Sequence, residues 1–453
     1  MAVLSTCVGA CAAIFSIPHD YGAAGALAWS ALFLAAGLLA PVAFWWRNEA
    51  ATILSGQNVL ALALVYWFLL DVLQGAYALP VSRDAVVREF LLISVASIGF
   101  SVGAGAFRPL APGFLLAAAA QPWSSGTIFR ALVIAFALGI WDFVYRADFD
   151  MDVVLRSLLA SRFDSAWQRE ALGDWSAFSY HLQYFGYLVP ALAVMLALRL
   201  GWHHPRALAG LLMSVSILMF HAQGGGRRVV GAMVLAGLFC WLVHVRRVTL
   251  RRVALVLIIL GVLAAALQLM LILREVGLAG QDSAYSQFDY LHVDDNFLRV
   301  AQMLEFVPEI QPFVGLQYAV FAIVRPVPRV LWPEKPVDGG FALAELLGIP
   351  MTTISITAPG EFYVSFGYAG VLLGAFIYGR LSTLADAMLA PGRASVNPLF
   401  PSLVLVCLFL GMRSMVEIIL MSYVVIAALV IGKALSLIEE RVASPAAPGA
   451  TST

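Results

Sequence analysis

The run VALVLIILGVLAAALQLMLIL, residues 253–273, carries a single polar side chain, that of Gln268. Its 21 residues suffice to cross the hydrocarbon layer of a bilayer as one helix. Arginines flank it, with Arg251 and Arg252 before the run and Arg274 after it. Charged ends around an apolar run are typical of a membrane-spanning segment, so the sequence predicts such a helix here.

Comparable runs recur along the whole chain. Hydrophobic residues make up 62% and charged residues 12% of the 453 positions, and the mean hydropathy is +0.89. These values exclude a soluble globular protein. The runs also lack the polar–apolar alternation of a transmembrane β-barrel. The sequence therefore predicts an all-α polytopic membrane protein with about twelve transmembrane helices. Their centres fall near residues 10, 35, 68, 98, 137, 188, 214, 237, 263, 371, 405 and 425.

This pattern divides the chain into four parts. Residues 1–273 hold helices 1–9, residues 274–360 form a large polar segment, residues 361–442 hold helices 10–12, and residues 443–453 form a disordered tail. The first part includes a loop at 148–175, of which residues 153–174 predict an amphipathic helix lying on the membrane. Residues 110–122 are too short for a span and predict a half-helix or an interfacial segment.

Orientation follows from the distribution of basic residues. The short connection between helices 8 and 9 carries Arg246, Arg247, Arg251 and Arg252, which predicts that it is cytoplasmic. Alternation of the spans then puts both termini in the cytoplasm, together with the basic loops Arg199–Arg206 and Arg380–Arg393. The opposite side receives the large polar segment, the loop at 148–175, and Arg227, Arg228 and Arg413.

Two groups of basic residues on that opposite side predict an anion site. Arg227 and Arg228 follow the triplet Gly224–Gly226 and begin helix 8, where close backbone approach and free N–H groups suit a phosphate or a pyrophosphate. The alternative is that both arginines extend towards lipid headgroups at a helix end.

The second group lies in RPVPRVLWPEKP, residues 325–336. Its prolines forbid a continuous helix and bias the residues before them to extended geometry. Arg325, Arg329 and Lys335 are then displayed from a stiff segment that could grip phosphate oxygens. Trp332 fits the alternative equally well, since a basic, aromatic stretch is also typical of contact with lipid headgroups.

Residues 324–336 resemble the P-R-x-L-W-P-x-K-P signature of bacterial oligosaccharide repeat-unit polymerases, the Wzy-type O-antigen polymerases. GEFYVSFGYAGV, residues 360–371, is similar to the family's G-E-x-Y-x-x-F-G-x-x-G block at the start of a transmembrane helix. GGGRR, residues 224–228, stands where the family carries a glycine and arginine motif. The resemblance covers residues 224–371, and the rest of the chain only through span count and topology.

The resemblance implies a multi-pass glycosyltransferase of the bacterial inner membrane, with a GT-C-like architecture and the large segment between helices 9 and 10 in the periplasm. Such an enzyme polymerises undecaprenyl-pyrophosphate-linked oligosaccharides on the periplasmic side, as in O-antigen (lipopolysaccharide), capsule or exopolysaccharide biosynthesis. No cofactor and no nucleic-acid partner are expected. Whether a chain-length-regulating copolymerase binds stays open.

Such chemistry needs cations to stabilise a departing pyrophosphate. The predicted pyrophosphate-binding residues are Arg227, Arg228, Arg325, Arg329, Lys335 and Arg413. For Arg413, the alternative is an ion pair with Glu417, one helical turn later.

The catalytic residues are predicted to be Arg325, Arg329 and Glu361, the last as general base for the acceptor hydroxyl. The alternative for Glu361 is a cap on its own helix or an ion pair with an arginine. Further candidates for the base are His221, His292, Asp294 and Asp295.

No metal site is predicted, because Asp294 and Asp295 are adjacent rather than spaced. Asp148, Asp150 and Asp152 are the alternate acidic residues that could contradict this prediction. The four cysteines, Cys7, Cys11, Cys240 and Cys407, all fall in predicted spans and indicate no disulfide framework.

Two other functions remain open. An O-antigen ligase would use the same kind of donor with another acceptor, and a transporter would also have about twelve spans. Against a transporter, the sequence has no internal repeat and few ionisable residues at mid-span. The exceptions are Asp71 and Asp142, which are read as lying near span ends or as hydrogen-bonded between helices.

Overall fold

The computed structural model describes residues 1–45, 53–160, 166–167, 176–223, 226–245, 249–276, 290–350, 354–390 and 397–443. Within these ranges every regular element is a helix. The long apolar helices among them confirm an all-helical protein embedded in a membrane.

Nineteen helices make up the described part of the chain. The first nine are α1 Ala2–Phe15, α2 Ala28–Trp45, α3 Gly56–Leu73, α4 Arg83–Gly105, α5 Gly113–Ala120, α6 Ser125–Arg146, α7 Met151–Leu159, α8 Ser176–His181 and α9 Gln183–Gly186. The others are α10 Val189–Leu200, α11 Pro205–Gln223, α12 Arg227–His244, α13 Leu250–Val276, α14 Asn296–Phe306, α15 Gln317–Val324, α16 Leu343–Leu346, α17 Thr357–Leu389, α18 Leu399–Gly411 and α19 Met415–Ala443.

Eleven of the twelve predicted centres fall in apolar helices, and the one near residue 188 falls in the turn between α9 and α10, within an apolar segment. Among the described residues, nine segments are long and apolar enough to cross a membrane, one of them formed jointly by α8, α9 and α10 (Ser179–Leu200). α1, α2 and α18 are shorter apolar helices, so the number of complete spans stays a prediction. Residues 110–122 contain the eight-residue helix α5, in agreement with a half-helix.

Small residues allow the helices to pack closely, as is common in membranes. α4 and α17 lie so near each other that a Cβ on Gly103 would stand 2.2 Å from the carbonyl oxygen of Phe376. A Cβ on Gly379 would likewise stand 2.3 Å from the carbonyl oxygen of Phe100. The two glycines therefore fix the distance between these helices.

α17 is interrupted one third of the way along. Phe366 and Gly367 leave helical geometry, and Gly367 has a φ of 63°, a conformation that glycine adopts without strain. The carbonyl groups of Val364 and Ser365 accept hydrogen bonds from the N–H groups of Val314 (3.0 Å) and Gly315 (3.1 Å). The break therefore ties the start of the segment that leads into α15 to a spanning helix.

Four predicted boundaries change. α13 continues to Val276 and α17 begins at Thr357. Residues 274–276 and 357–360 of the predicted polar segment are therefore helical. Arg380 lies inside α17 rather than in a loop, and its guanidinium donates to the carbonyl groups of Phe107 and Arg108. α19 extends to Ala443, and the predicted tail beyond it lies outside the described residues.

Candidate functional site

Four helices that are long and apolar enough to span a membrane, α3, α12, α17 and α19, come together at one end of the bundle, around the loop at 290–295. The end of α3 supplies Asp71, the start of α12 supplies Arg227, the start of α17 supplies Glu361, and the turn between α18 and α19 supplies Arg413. We call this end of the bundle the site end. It collects residues that are far apart in the sequence.

The loop at 290–295 is held by the side chain of Asp71 in α3 and by that of Gln74, the residue that follows α3. Asp71 accepts a hydrogen bond on Oδ1 from the N–H of Val293 (3.1 Å) and one on Oδ2 from the N–H of Asp295 (3.2 Å). Gln74 bonds both the N–H of Leu291 (2.9 Å) and its carbonyl group (3.1 Å). Asp71 was expected to lie near a span end or to be hydrogen-bonded between helices. Its hydrogen-bond partners are backbone N–H groups of this loop.

Arg227 clamps the same loop from α12. Its Nη1 donates to the carbonyl oxygen of His292 (2.8 Å) and its Nη2 to that of Val293 (3.1 Å). The side chain is 17% exposed, and Nη2 also lies 3.9 Å from Oδ1 of Asp294. The planar fork of the guanidinium thus spans two successive carbonyl groups.

Asp294 and Glu417 link three arginines into one charged network. Nε of Arg413 lies 2.5 Å from Oδ2 of Asp294 and its Nη1 lies 3.6 Å from Oε1 of Glu417. The same carboxylate oxygen of Glu417 lies 2.6 Å from Nη1 of Arg228. The ion pair of Arg413 with Glu417, the alternative that the sequence offered for Arg413, is present, although the carboxylate of Asp294 lies nearer.

A π-helical turn at Val65–Leu69 precedes Asp71 in α3. Such a turn breaks the regular hydrogen-bond ladder and is frequent at functional sites. The carbonyl group of Trp67 accepts from Nδ2 of Asn296 (3.0 Å), the first residue of α14. The turn therefore joins α3 to the residue that follows the loop. The sequence carries no signal that we can assign to it.

Glu361 caps a helix other than its own. Its Oε1 accepts from the hydroxyl of Ser414 (2.7 Å) and its Oε2 from the N–H of Met415 (2.6 Å), the first residue of α19. The sequence analysis had considered a cap on α17 itself, but no side chain caps the start of that helix. Both oxygens of Glu361 thus hold the residues that follow Arg413.

The proline-rich segment forms a second, separate group of cations. It forms no continuous helix, as the prolines predict, and consists mainly of turns. Arg325 is helical (φ −47°, ψ −41°) and not extended, because it still closes the last turn of α15 with a hydrogen bond to Ala322. Nη1 of Arg329 lies 3.4 Å from the carbonyl oxygen of Pro333.

The sequence predicted that Arg325, Arg329 and Lys335 are all displayed to a ligand. Lys335 departs furthest from this prediction. It is buried, and its Nζ donates to the carbonyl groups of Arg325 (3.1 Å) and Val327 (2.7 Å). Burial, together with the positive charges of Arg325 and Arg329, lowers the pKa of Lys335. Its ammonium group therefore stabilises the fold of the segment, while two guanidinium groups stand beside it.

Gly226 is the residue of the glycine triplet that the structure describes. Gly226 has a φ of −80°, so no unusual conformation is needed there, and Gly224 and Gly225 lie outside the described residues. His221 is packed between the rings of Phe143 and Tyr187, each centroid 5.3 Å away. It is a buried core residue in these surroundings.

Asp71, His292 and Asp295 could hold a metal ion. One ligand atom from each lies within 4.8 Å of the others. However, both oxygens of Asp71 already accept backbone N–H groups, which accounts for its burial. Asp150 is one of the three alternate acidic residues that could contradict the prediction of no metal site. It caps α7 by accepting hydrogen bonds from the N–H groups of Asp152 (2.8 Å) and Val153 (3.3 Å).

The chain matches no protein-family model, no curated protein and no solved structure. The chemistry of the site must therefore be inferred from its own residues. The site end offers guanidinium groups held beside carboxylates. An anion that binds these guanidinium groups has to displace the carboxylates or share the groups with them. The proline-rich segment offers two guanidinium groups next to a buried ammonium group.

Proposed function

We propose that the protein is a glycosyltransferase that joins undecaprenyl-pyrophosphate-linked oligosaccharides on the periplasmic side of the bacterial inner membrane. The observation that carries the proposal is the network of Arg227, Arg228 and Arg413 around Asp294 and Glu417. Three of the six predicted pyrophosphate-binding residues come together there from distant parts of the chain. The resemblance of residues 324–336 and 360–371 to repeat-unit polymerases adds independent support.

The reaction displaces a pyrophosphate from an anomeric carbon. The oxygen of an acceptor hydroxyl forms a bond to that carbon, the bond from the carbon to the phosphate oxygen breaks, and the hydroxyl proton is released. The departing lipid pyrophosphate keeps the electron pair and gains negative charge. Guanidinium groups aimed at its oxygens would lower the barrier, since hydrogen bonds to charged groups contribute about 1.5–3 kcal/mol each.

Arg228 and Arg413 are the arginines of the network best suited to meet the leaving group. Arg228 is 44% exposed and contacts Glu417, and Arg413 contacts two carboxylates. A phosphate oxygen can take the place of either carboxylate at these guanidinium groups, because both ligands accept the same forked hydrogen bonds. Arg227 instead holds the loop that carries Asp294.

Glu361 is assigned a positioning role in this proposal. Its carboxylate fixes Ser414 and Met415, directly after Arg413, and so sets where that guanidinium points. The prediction that Glu361 is the general base stays open to the test given in the Discussion.

Arg325 and Arg329 are proposed as a second anion site. They stand on a segment whose backbone is fixed by Lys335, and a preorganised segment loses little entropy on binding. Their place next to a spanning helix suits the pyrophosphate of a substrate anchored in the lipid.

The test is a reconstituted reaction. The purified protein in liposomes is incubated with an undecaprenyl-pyrophosphate-linked repeat unit, without metal ions or nucleotide sugars, and the lipid-linked products are separated by mass. A ladder that rises by whole repeat units supports the polymerase. Transfer to added lipid A core instead would identify a ligase, and intact substrate moved across the membrane would identify a transporter.

Lysine variants test which arginines bind the pyrophosphate. Arg228→Lys, Arg325→Lys and Arg329→Lys are each expected to lower ladder formation at least about tenfold, because lysine cannot grip two phosphate oxygens with one fork. Arg252→Lys, at the far end of α13, is the matched control and should leave the ladder unchanged. Normal chain length in all three variants would contradict the proposed anion sites.

A further inference from the structure

α15 presents one apolar face that is exposed in the described part of the protein. Leu316 and Ile323 are 65% and 66% exposed, and Val320 between them is exposed too. Spacings of four and three residues put these side chains on one side of the helix. The rest of the helix packs inward, since Ala322 is buried and the ring of Tyr318 lies against Gly339.

The exposed apolar surface continues in the turns after α15. Leu331 is 64% exposed, and Val330, Trp332 and Val337 are exposed as well. We call Leu316, Val320, Ile323, Leu331, Trp332 and Val337 together the apolar face. So many large apolar side chains in 22 residues are unusual for a surface in contact with water alone. Tryptophan in particular is enriched where a membrane meets water.

Two cations border the apolar face. The guanidinium of Arg325 lies 5.4 Å from the centre of the Phe321 ring, along the body of α15. Arg329 follows four residues later, and Lys335 fixes the turn between them from inside. The charges are thus held next to apolar side chains, as in helices that lie in the headgroup layer.

The segment is anchored to spanning helices at the site end. α15 packs against α19 and α17, and the residues before it bond to the carbonyl groups of Val364 and Ser365 in α17. The apolar face is therefore attached to two helices that are long and apolar enough to span a membrane.

We propose that the apolar face is seated in the boundary between acyl chains and headgroups of the leaflet at the site end, with Arg325 and Arg329 in contact with lipid phosphates. The occupant is the phospholipid surface, because apolar side chains bordered by cations match its two layers in both polarity and charge. The segment that the sequence assigns to a polar loop is then an interfacial part of the membrane domain. The inference does not depend on the chemistry proposed above, in which the pyrophosphate of a lipid-anchored substrate would replace the lipid phosphate at the same two arginines.

The test measures the depth of single side chains. The full chain, with Cys7, Cys11, Cys240 and Cys407 replaced by alanine, receives one cysteine at Ile323 or Leu331 for a spin label. The protein is placed in nanodiscs of phosphatidylethanolamine and phosphatidylglycerol. The accessibility of the label to oxygen and to a water-soluble nickel complex is then compared. Leu257, exposed in the apolar part of α13, is the lipid reference, and Glu309 is the water reference.

Both labels are expected to give an oxygen-to-nickel ratio at least about fivefold above that of Glu309 and close to that of Leu257. Ratios equal to that of Glu309 would overturn the proposal. Shielding from both reagents would overturn it too, because another protein surface would then cover the face. Hydroxyl-radical labelling of the unmodified protein in the same nanodiscs gives a second measurement, in which strong oxidation of Trp332 would contradict burial in the interface.

The arginines are tested in the same system. Arg325→Gln together with Arg329→Gln should move the label at Leu331 towards water, which lowers its oxygen-to-nickel ratio by about twofold or more. Glu334→Gln, a change of charge in the same turn that removes no cation, should not. An unchanged depth in the double variant would overturn the contact with lipid phosphates.

Discussion

Arg413 donates a hydrogen bond from Nε to Oδ2 of Asp294 over 2.5 Å, although 119 residues separate them. Asp294 belongs to a loop that Asp71 and Arg227 hold in place through its backbone. The carboxylate therefore stands in front of the guanidinium in the free protein. An anionic ligand of Arg413 has to displace it or share it.

Asp294→Asn should strengthen the binding of inorganic pyrophosphate to the purified protein by about tenfold, which corresponds to about 1.4 kcal/mol. The reason is that the neutral amide competes less well for Arg413 than a carboxylate does. Isothermal titration in nanodiscs measures the affinity, with Glu309→Gln as the control for loss of an exposed carboxylate in the same segment. Weaker binding in Asp294→Asn would mean that Asp294 mainly positions Arg413.

Arg227 and Arg228 are neighbours in the sequence with different partners, and their lysine variants should differ. Arg227→Lys loses the fork that spans the carbonyl groups of His292 and Val293, so the loop at 290–295 should open more often. With about 2 kcal/mol lost, its amide hydrogens should exchange more than tenfold faster. Arg228→Lys, whose partner is Glu417, should leave that exchange unchanged. Equal exchange in both variants would show that Arg227 does not hold the loop.

Variants of Ser414 and Glu361 distinguish between two roles of Glu361, the positioning of Arg413 and general-base catalysis. Ser414→Ala removes one hydrogen bond to Glu361 and keeps its carboxylate, so a positioning role predicts a several-fold slower glycosyl transfer. A general base would tolerate this change, whereas Glu361→Gln would abolish the reaction at every pH. The comparison of both variants over a range of pH is the measurement. Full activity in Ser414→Ala would contradict the positioning role of Glu361.

The sequence predicted what depends on local composition. The apolar runs became helical, and residues 325–336 form no continuous helix, as their prolines predicted. It could not predict contacts across long separations, such as Arg413 with Asp294 or Glu361 with Met415, because no local pattern encodes them. Lys335 was misjudged for a related reason, since a lysine is rarely buried unless tertiary structure brings carbonyl groups to its ammonium.

Reporter fusions test the predicted topology. A periplasm-dependent reporter placed after residue 340 should be active, and one that needs the cytoplasm should be active after residue 249. The reason is that the arginines around Arg251 and Arg252 favour the cytoplasmic side, and a spanning helix separates the two positions. The reciprocal fusions are the control. A cytoplasmic signal after residue 340 would reverse the orientation and put the anion sites on the wrong side for the proposed reaction.

Removal of metal ions tests how the group of Asp71, His292 and Asp295 is used. We expect glycosyl transfer to continue in EDTA, because both oxygens of Asp71 are engaged by backbone N–H groups and the arginines can stabilise the leaving group without a cation. His292→Ala, which keeps those bonds, should then remain active. Asp71→Asn should lower activity, since one oxygen that holds the loop becomes a donor group. Activity that is lost in EDTA and restored by Mn²⁺, but not in His292→Ala, would instead identify these three residues as a catalytic metal site.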